Sequence, residues 1–165
     1  MYRDKFYIRK FNKIVMVQVE KELIKKILNP YKKGWRFLKS ADYNPPSIKG
    51  KFIINNSYYI GETGHLNAVD FLICYNQLAY VFFAQIINLT TKTDFLSNKE
   101  NQLKKSLIAK IKNLEFKKSI NPKSFEGILT LKEIIPKERA IFFPIAVNFG
   151  DGAFVGEIDL AYRLN

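Results

Sequence analysis

From Asn67 to Asn88 the chain runs with a single charged side chain, Asp70, and this stretch decides what the rest must do. Its apolar residues recur at helical spacing from Ala68, and a helix with so little charge has to be enclosed by protein on nearly every side. Some twenty residues at about 1.5 Å each give a rod of about 30 Å, enough to traverse a small domain. Asn67 stands just before the periodicity and Asp70 three residues later, the spacing of a helix cap whose acid reaches back. The longest apolar stretch, Phe71 to Ala84, is interrupted by Asn76 and Gln77 and falls short of the roughly 20 residues a membrane span needs. A buried core helix is therefore expected, with no membrane span.

The flanking sequence supplies the wrapping. Val19, Leu23, Ile24, Ile27 and Leu28 fall at spacings of three and four, predicting a short amphipathic helix that Asn29-Pro30 ends. Gly34 and Pro45-Pro46 suggest turns and irregular chain over Lys32 to Pro46. Lys49 to Ile54 reads as a strand that breaks at Asn55-Asn56 and resumes over Tyr58 to Ile60. Thr93 to Leu103 reads as a polar connector helix. Ser106 to Ser119 is ambiguous, its latter part strand-like, and Asn121-Pro122-Lys123-Ser124 is a turn. Strands follow over Phe125 to Ile135 and over Ala140 to Phe149, where Pro144 predicts an edge or a bulge; Gly150-Asp151-Gly152 then makes a hairpin into Ala153 to Tyr162. A short helix, a strand, a long buried helix and a run of hairpin-connected strands imply an α+β chain whose antiparallel sheet curls around one helix, the hot-dog fold. A lone curved sheet covers one side of its helix only, so a homo-oligomer, at least a dimer, is expected.

At 165 residues the chain has the size of one domain, expected to span 1–165 with a basic N-terminal arm over 1–18. The apolar stretch Ile14 to Val19 is too short for a signal-peptide core. Cys74, the only cysteine, cannot form an intrachain disulfide or a cysteine-rich zinc site; it fits a cytoplasmic chain and reads as core packing. The net charge of +12 would attract phosphates, acidic proteins, anionic lipid or nucleic acid without choosing among them. The cluster Lys104 to Lys118 lacks the arginines and glycine-aromatic pattern of an RNA-binding sheet, so a solvated lysine-rich surface is the plainer reading.

Chemistry concentrates at the polar start of the long helix. Its first backbone N–H groups, beginning at Ala68, are unpaired and lie at the positive end of the helix dipole. His65, the sole histidine, stands just outside and is the natural proton carrier near neutral pH, although a turn histidine often only ties loops together. Asn67 has a structural explanation as the cap. Asn76 places an amide two turns into apolar surroundings, where it needs partners those surroundings do not offer, and so reads as a site residue. Gln77 points some 100° away around the helix and reads as structural. No metal cluster, glycine-rich phosphate loop or nucleophile elbow is apparent.

Tyr59-Ile60, Thr63-Gly64-His65, Asn67-Ala68-Val69, Cys74, Asn76-Gln77-Leu78-Ala79-Tyr80, Asn29-Pro30-Tyr31, Asn121-Pro122-Lys123-Ser124-Phe125 and Gly156-Glu157-Ile158-Asp159-Leu160 together resemble the FcoT-like family of hot-dog fatty acyl-thioester enzymes, from about Val19 onward. The resemblance implies an enzyme acting on acyl thioesters of CoA or of an acyl carrier protein. Some members look like enzymes of isonitrile lipopeptide pathways, which add glycine across a 2-enoyl thioester; others are described as long-chain acyl-CoA thioesterases. Both reactions push charge onto the thioester oxygen and need donors there, and the start of the helix at Ala68 is expected to bind that carbonyl. The residues and the resemblance together give His65, Asn76 and Tyr59 as expected catalytic residues, with Tyr31, Asn67, Ala68 and Lys117 binding substrate, no metal, and no cofactor beyond the carrier thiol. Phe71, Tyr75, Phe82 and Phe83 could line an acyl tunnel but are more simply core. Asp70 is the only acid on the helix and its capping job makes it a doubtful base, which weakens simple hydrolysis. A noncatalytic acyl-carrier or nucleic-acid binding module is the competing class.

Overall fold

The computed structural model describes residues 16–57, 60–61, 63–91 and 105–164, with residues 87–91 by backbone alone. The long helix, α2 (Ala68–Thr91), begins at the expected residue and runs three residues past the expected end. Over Ala68–Ile86 it is apolar and long enough to cross a bilayer, yet 67% of that stretch is buried within the fold, as a core helix is. Before it come β1 (Val17–Gln18), α1 (Lys21–Ile27), a 3-10 turn (Lys33–Trp35), β2 (Leu38–Asn44) and β3 (Ser47–Phe52). After it come β4 (Ser106–Phe116), β5 (Phe125–Leu131), β6 (Ile135–Pro136), β7 (Ala140–Phe149) and β8 (Phe154–Arg163). The strands form one antiparallel sheet in the order β1-β2-β3-β5-β7-β8-β4, with β6 beside β7. This sheet wrapped on one helix is the hot-dog fold.

Phe71, Tyr75, Leu78, Phe82 and Phe83 turn from α2 into the sheet's concave face. The Phe71 ring meets Phe116, Phe149 and Phe154 edge-on at 5.1–5.9 Å, and Phe83 meets Phe143 at 4.8 Å. Each such pair adds about 0.5–1.5 kcal/mol beyond its buried area. Curvature depends on two glycines that face each other across β3 and β5: a Cβ at Gly50 would come within 2.8 Å of Leu78 on α2, and one at Gly127 within 2.5 Å of the Phe149 ring. Helix and aromatic ring approach the sheet there because no side chain intervenes.

Several expectations change. The Lys32 to Pro46 segment is not irregular: it holds the 3-10 turn and β2, and Pro45-Pro46, joined by a cis peptide bond, forms the turn into β3. The register shift between Leu38 and Ser40 breaks the in-out alternation that would have marked β2 as a strand. Ile60 is not in a strand, and Tyr58, Tyr59 and the connector read over Thr93 to Leu103 lie outside the described residues. Ser106 to Phe116 is strand throughout. Pro144 lies in a central strand rather than an edge, at the point where β7 changes partner; between the pairs Leu131↔Ile145 and Ile135↔Phe142 one side advances four residues and the other three, which is the bulge alternative. Gly150, Asp151 and Gly152 all take positive φ in the hairpin, as their residue types allow.

Candidate active site

The polar start of α2 is capped as its sequence implies. Asp70 N–H donates to Asn67 Oδ1 at 2.9 Å, Phe71 N–H to the Asn67 carbonyl at 2.9 Å, and the Asn67 amide donates to Asp70 Oδ2 at 2.7 Å. Asn67 is thus a cap that also holds the buried Asp70 carboxylate, whose Oδ1 has no hydrogen-bond partner among the described residues. Ala68 and Val69, next along the chain, are exposed. His65 is exposed as well, and its Nδ1 lies 2.9 Å from the Thr63 carbonyl. A carbonyl only accepts, so Nδ1 carries the proton in this contact, and in the neutral ring Nε2 is then the acceptor.

The tip is flanked by the end of β4. Phe116 packs on Phe71, and Leu66 N–H donates to the Ile120 carbonyl at 2.9 Å. Lys117 follows Phe116, anchored by its own N–H to the Ala153 carbonyl at 2.8 Å, and its ammonium lies 3.2 Å from Glu115 in solvent. Neither the cavity beside Asn76 nor the one between Lys112 and Lys132 is lined by residues of this tip.

Asn76 occupies a different place, eight residues and about 12 Å along the helix from Ala68. It lines a cavity of about 290 Å³ with Ala79, Tyr80, Phe83, Ser106, Leu107, Ile108 and Leu160. Its amide is partly exposed and makes no hydrogen bond among the described residues. Gln77, one position on, is fully buried: its Oε1 accepts from the Phe37 and Leu38 N–H groups, each at 3.0 Å, and its Nε2 donates to the Trp35 carbonyl at 2.6 Å. One amide is consumed by structure and its neighbour is left for something else.

Tyr31 lies next to Tyr80, one of the residues lining the cavity. It packs against the core beside Tyr80 and Cys74, and burial first, then those two groups, pushes its phenol far above the ordinary tyrosine range. Burial also raises the Tyr80 phenol and, with Asp70 nearby, the Cys74 thiol. At neutral pH all three keep their protons, so both phenols are donors and Cys74 is an inert core thiol. Phe71, Tyr75 and Phe82 are core, whereas Phe83 both packs on Phe143 and lines the cavity.

Within one chain, then, the expected residues fall into two sets. His65, Asn67, Ala68 and Lys117 gather at the helix tip, while Asn76 lines the cavity and Tyr31 lies behind it against Tyr80 and Cys74; Tyr59 lies outside the described residues. Tyr80 and Ser106 were missed by sequence reasoning. Tyr80 sits four residues after Asn76, on the same helix face, and that spacing was the available signal. Nothing in the sequence shows that β4 would bring Ser106 there.

The fold resembles that of several solved structures. A dehydratase heterocomplex from Xenorhabdus doucetiae superposes with a TM-score of 0.59 at 11% identity, covering 86% of this chain and 91% of that one. A mutant thioesterase from Pseudomonas aeruginosa gives 0.53 at 9% identity, covering 88% and 94%. In sequence, the chain is 35% identical over 164 residues to the (2E)-enoyl-[ACP] glycyltransferase of Mycobacterium tuberculosis H37Rv, covering 88% of this chain and 87% of the relative. It is 32% identical over 130 residues to the protein of the same name from Streptomyces coeruleorubidus, covering 73% and 78%. The FcoT-like thioesterase domain matches residues 26–162, most of the chain, and the protein belongs to that family of acyl-thioester enzymes.

Proposed function

We propose that the protein adds glycine to the β-carbon of a 2-enoyl thioester presented by an acyl carrier protein. The observation that carries this is the Asn76 amide, without a hydrogen bond among the described residues and set in the wall of a cavity otherwise lined mainly by apolar side chains. The relatives' names support the choice of substrate and nucleophile. As the amine forms the new C–N bond, the Cα–Cβ π pair moves to give an enolate on the thioester oxygen; the proton lost from nitrogen is returned to Cα. Asn76 Nδ2 and the Tyr31 phenol supply hydrogen bonds to that oxygen, and the apolar walls around them strengthen those bonds. His65 Nε2 is the proton carrier.

The two sets of residues meet in a dimer. Among the described residues β4 pairs only with β8 and leaves an eleven-residue edge on which Leu107, Ile111 and Phe116 are exposed. Beside it, Val69, Leu72, Ile73, Asn76 and Tyr80 form a helix stripe that the sheet does not cover. β4 runs from the cavity at Ser106 to the helix tip at Phe116. A two-fold pairing of β4 with its copy is antiparallel, and it sets the tip of one protomer against the cavity of the other.

The test incubates purified protein with 2-enoyl thioesters, with and without glycine, and follows products by mass spectrometry. A glycine-dependent adduct is expected, and Asn76→Ala should lower its rate by about a hundredfold or more. Release of free acid at the same rate without glycine would select hydrolysis instead. Unchanged turnover in both Asn76→Ala and His65→Ala would show the site to be misplaced.

A further inference from the structure

Part of the positive charge on the sheet is neutralised: Lys112 and Lys132 meet Glu157 and Asp159, Lys49 lies 2.7 Å from Glu126, and Lys117 pairs with Glu115, while Lys51, Lys110, Lys118 and Lys137 have no ion pair among the described residues. The layer formed by α1, the 3-10 turn and the start of β2 is poorer in carboxylates. Residues 21–39 carry seven lysines or arginines and one carboxylate, Glu22, which lies 3.8 Å from Lys25. Lys26, Lys32 and Lys33 are exposed and have no ion pair among the described residues, and Lys39 donates only to the Arg36 carbonyl. Arg36 is half-buried, and its bonds of 3.0–3.4 Å go to the Tyr31 and Asn29 carbonyls and the Asn29 side chain, none of them charged. Its charge therefore remains open while its bonds fix the turn that carries Tyr31.

This layer is rigidly attached to the cavity. Ile24, Ile27 and Leu28 are buried beneath it, Gln77 pins Trp35, Phe37 and Leu38 to α2, and Tyr31 rests beside Tyr80 in the cavity wall. A cationic surface beside a thioester cavity fits the macromolecule that carries the thioester rather than the uncharged acyl chain. We propose that Lys26, Lys32, Lys33 and Arg36 form the docking surface for an acidic carrier protein. The inference rests on the thioester reading above and adds where the carrier binds.

The test measures fluorescence anisotropy of a labelled acidic acyl carrier protein loaded with a 2-enoyl chain. Binding to the wild type should weaken with salt, and the triple variant Lys26→Glu, Lys32→Glu, Lys33→Glu should bind on the order of tenfold more weakly. Reversal at Lys51 and Lys137 should leave binding unchanged, and the triple variant should turn over the same acyl chain on free pantetheine at the wild-type rate. The proposal is overturned by equal loss in the Lys51/Lys137 control, by full binding in the triple variant, or by an equal loss of pantetheine turnover. It is also overturned if poly(A) RNA displaces the carrier at comparable concentration through the same lysines. Patch-dependent carrier binding with no turnover of either substrate would uphold the docking surface and sink the catalytic reading alone.

Discussion

Asn76 and Gln77 are adjacent amides on one helix, and their fates separate structure from chemistry. Gln77 satisfies two buried N–H groups and one carbonyl at the junction of the 3-10 turn and β2. Replacing it with Leu orphans all three, at a cost of about 3 kcal/mol, read as a lower denaturation midpoint at unchanged slope. Asn76→Ala should leave that midpoint nearly unmoved while abolishing most turnover, since Asn76 has no hydrogen-bond partner to lose among the described residues. The 100° of rotation between consecutive helix residues made this split legible in the sequence. That Gln77 would serve the backbone of residues 35–38 was not legible, because those contacts cross about forty positions.

The long helix shows how far local sequence reaches at the scale of an element. Low charge placed it in the core, and the Asn67/Asp70 spacing located its first residue. The Asn67→Ala change should cost about 2 kcal/mol, because the cap is lost and the buried Asp70 carboxylate loses its partner. The double variant Asn67→Ala, Asp70→Ala should lose less than the sum of the single changes, which a thermodynamic cycle would measure. β2 illustrates the opposite case. Gly34 and Pro45-Pro46 are breakers by local rules, yet the segment between them is a strand because β1 and β3 pair with both its edges and α2 packs against it.

Across the whole molecule, surface charge and the unpaired β4 edge govern behaviour. Lys132 and then Lys112 donate to Glu157 and hold its carboxyl below the usual carboxylate range, while hydrogen bonds to Asp159 and Glu157 raise the Lys112 ammonium. A lowered folded-state value gives Glu157 a contribution that is complete above its unfolded value of about 4.3 and is lost as pH falls through the folded one. Scanning calorimetry should therefore show a drop below about pH 4 that Glu157→Gln lessens, by about 2 °C for so exposed a network. The proposed dimer makes a sharper prediction. Mixed dimers of Asn76→Ala with His65→Ala should regain up to about half of wild-type turnover, since one of their two composite sites is intact; sites confined to single chains would regain none. Ile111→Lys should yield monomers by analytical ultracentrifugation and lose turnover with them. By itself the sequence determined the buried helix, its cap, the hairpin at Gly150 to Gly152 and which amide would be spare, because each follows from periodicity or a spacing of a few residues. Only the tertiary structure decided that His65 and Asn76 stand at opposite ends of β4, that Gly50 and Gly127 let the sheet close on α2, and which cations go unneutralised. Those outcomes depend on strand order, and strand order is set by pairings between residues far apart in the chain.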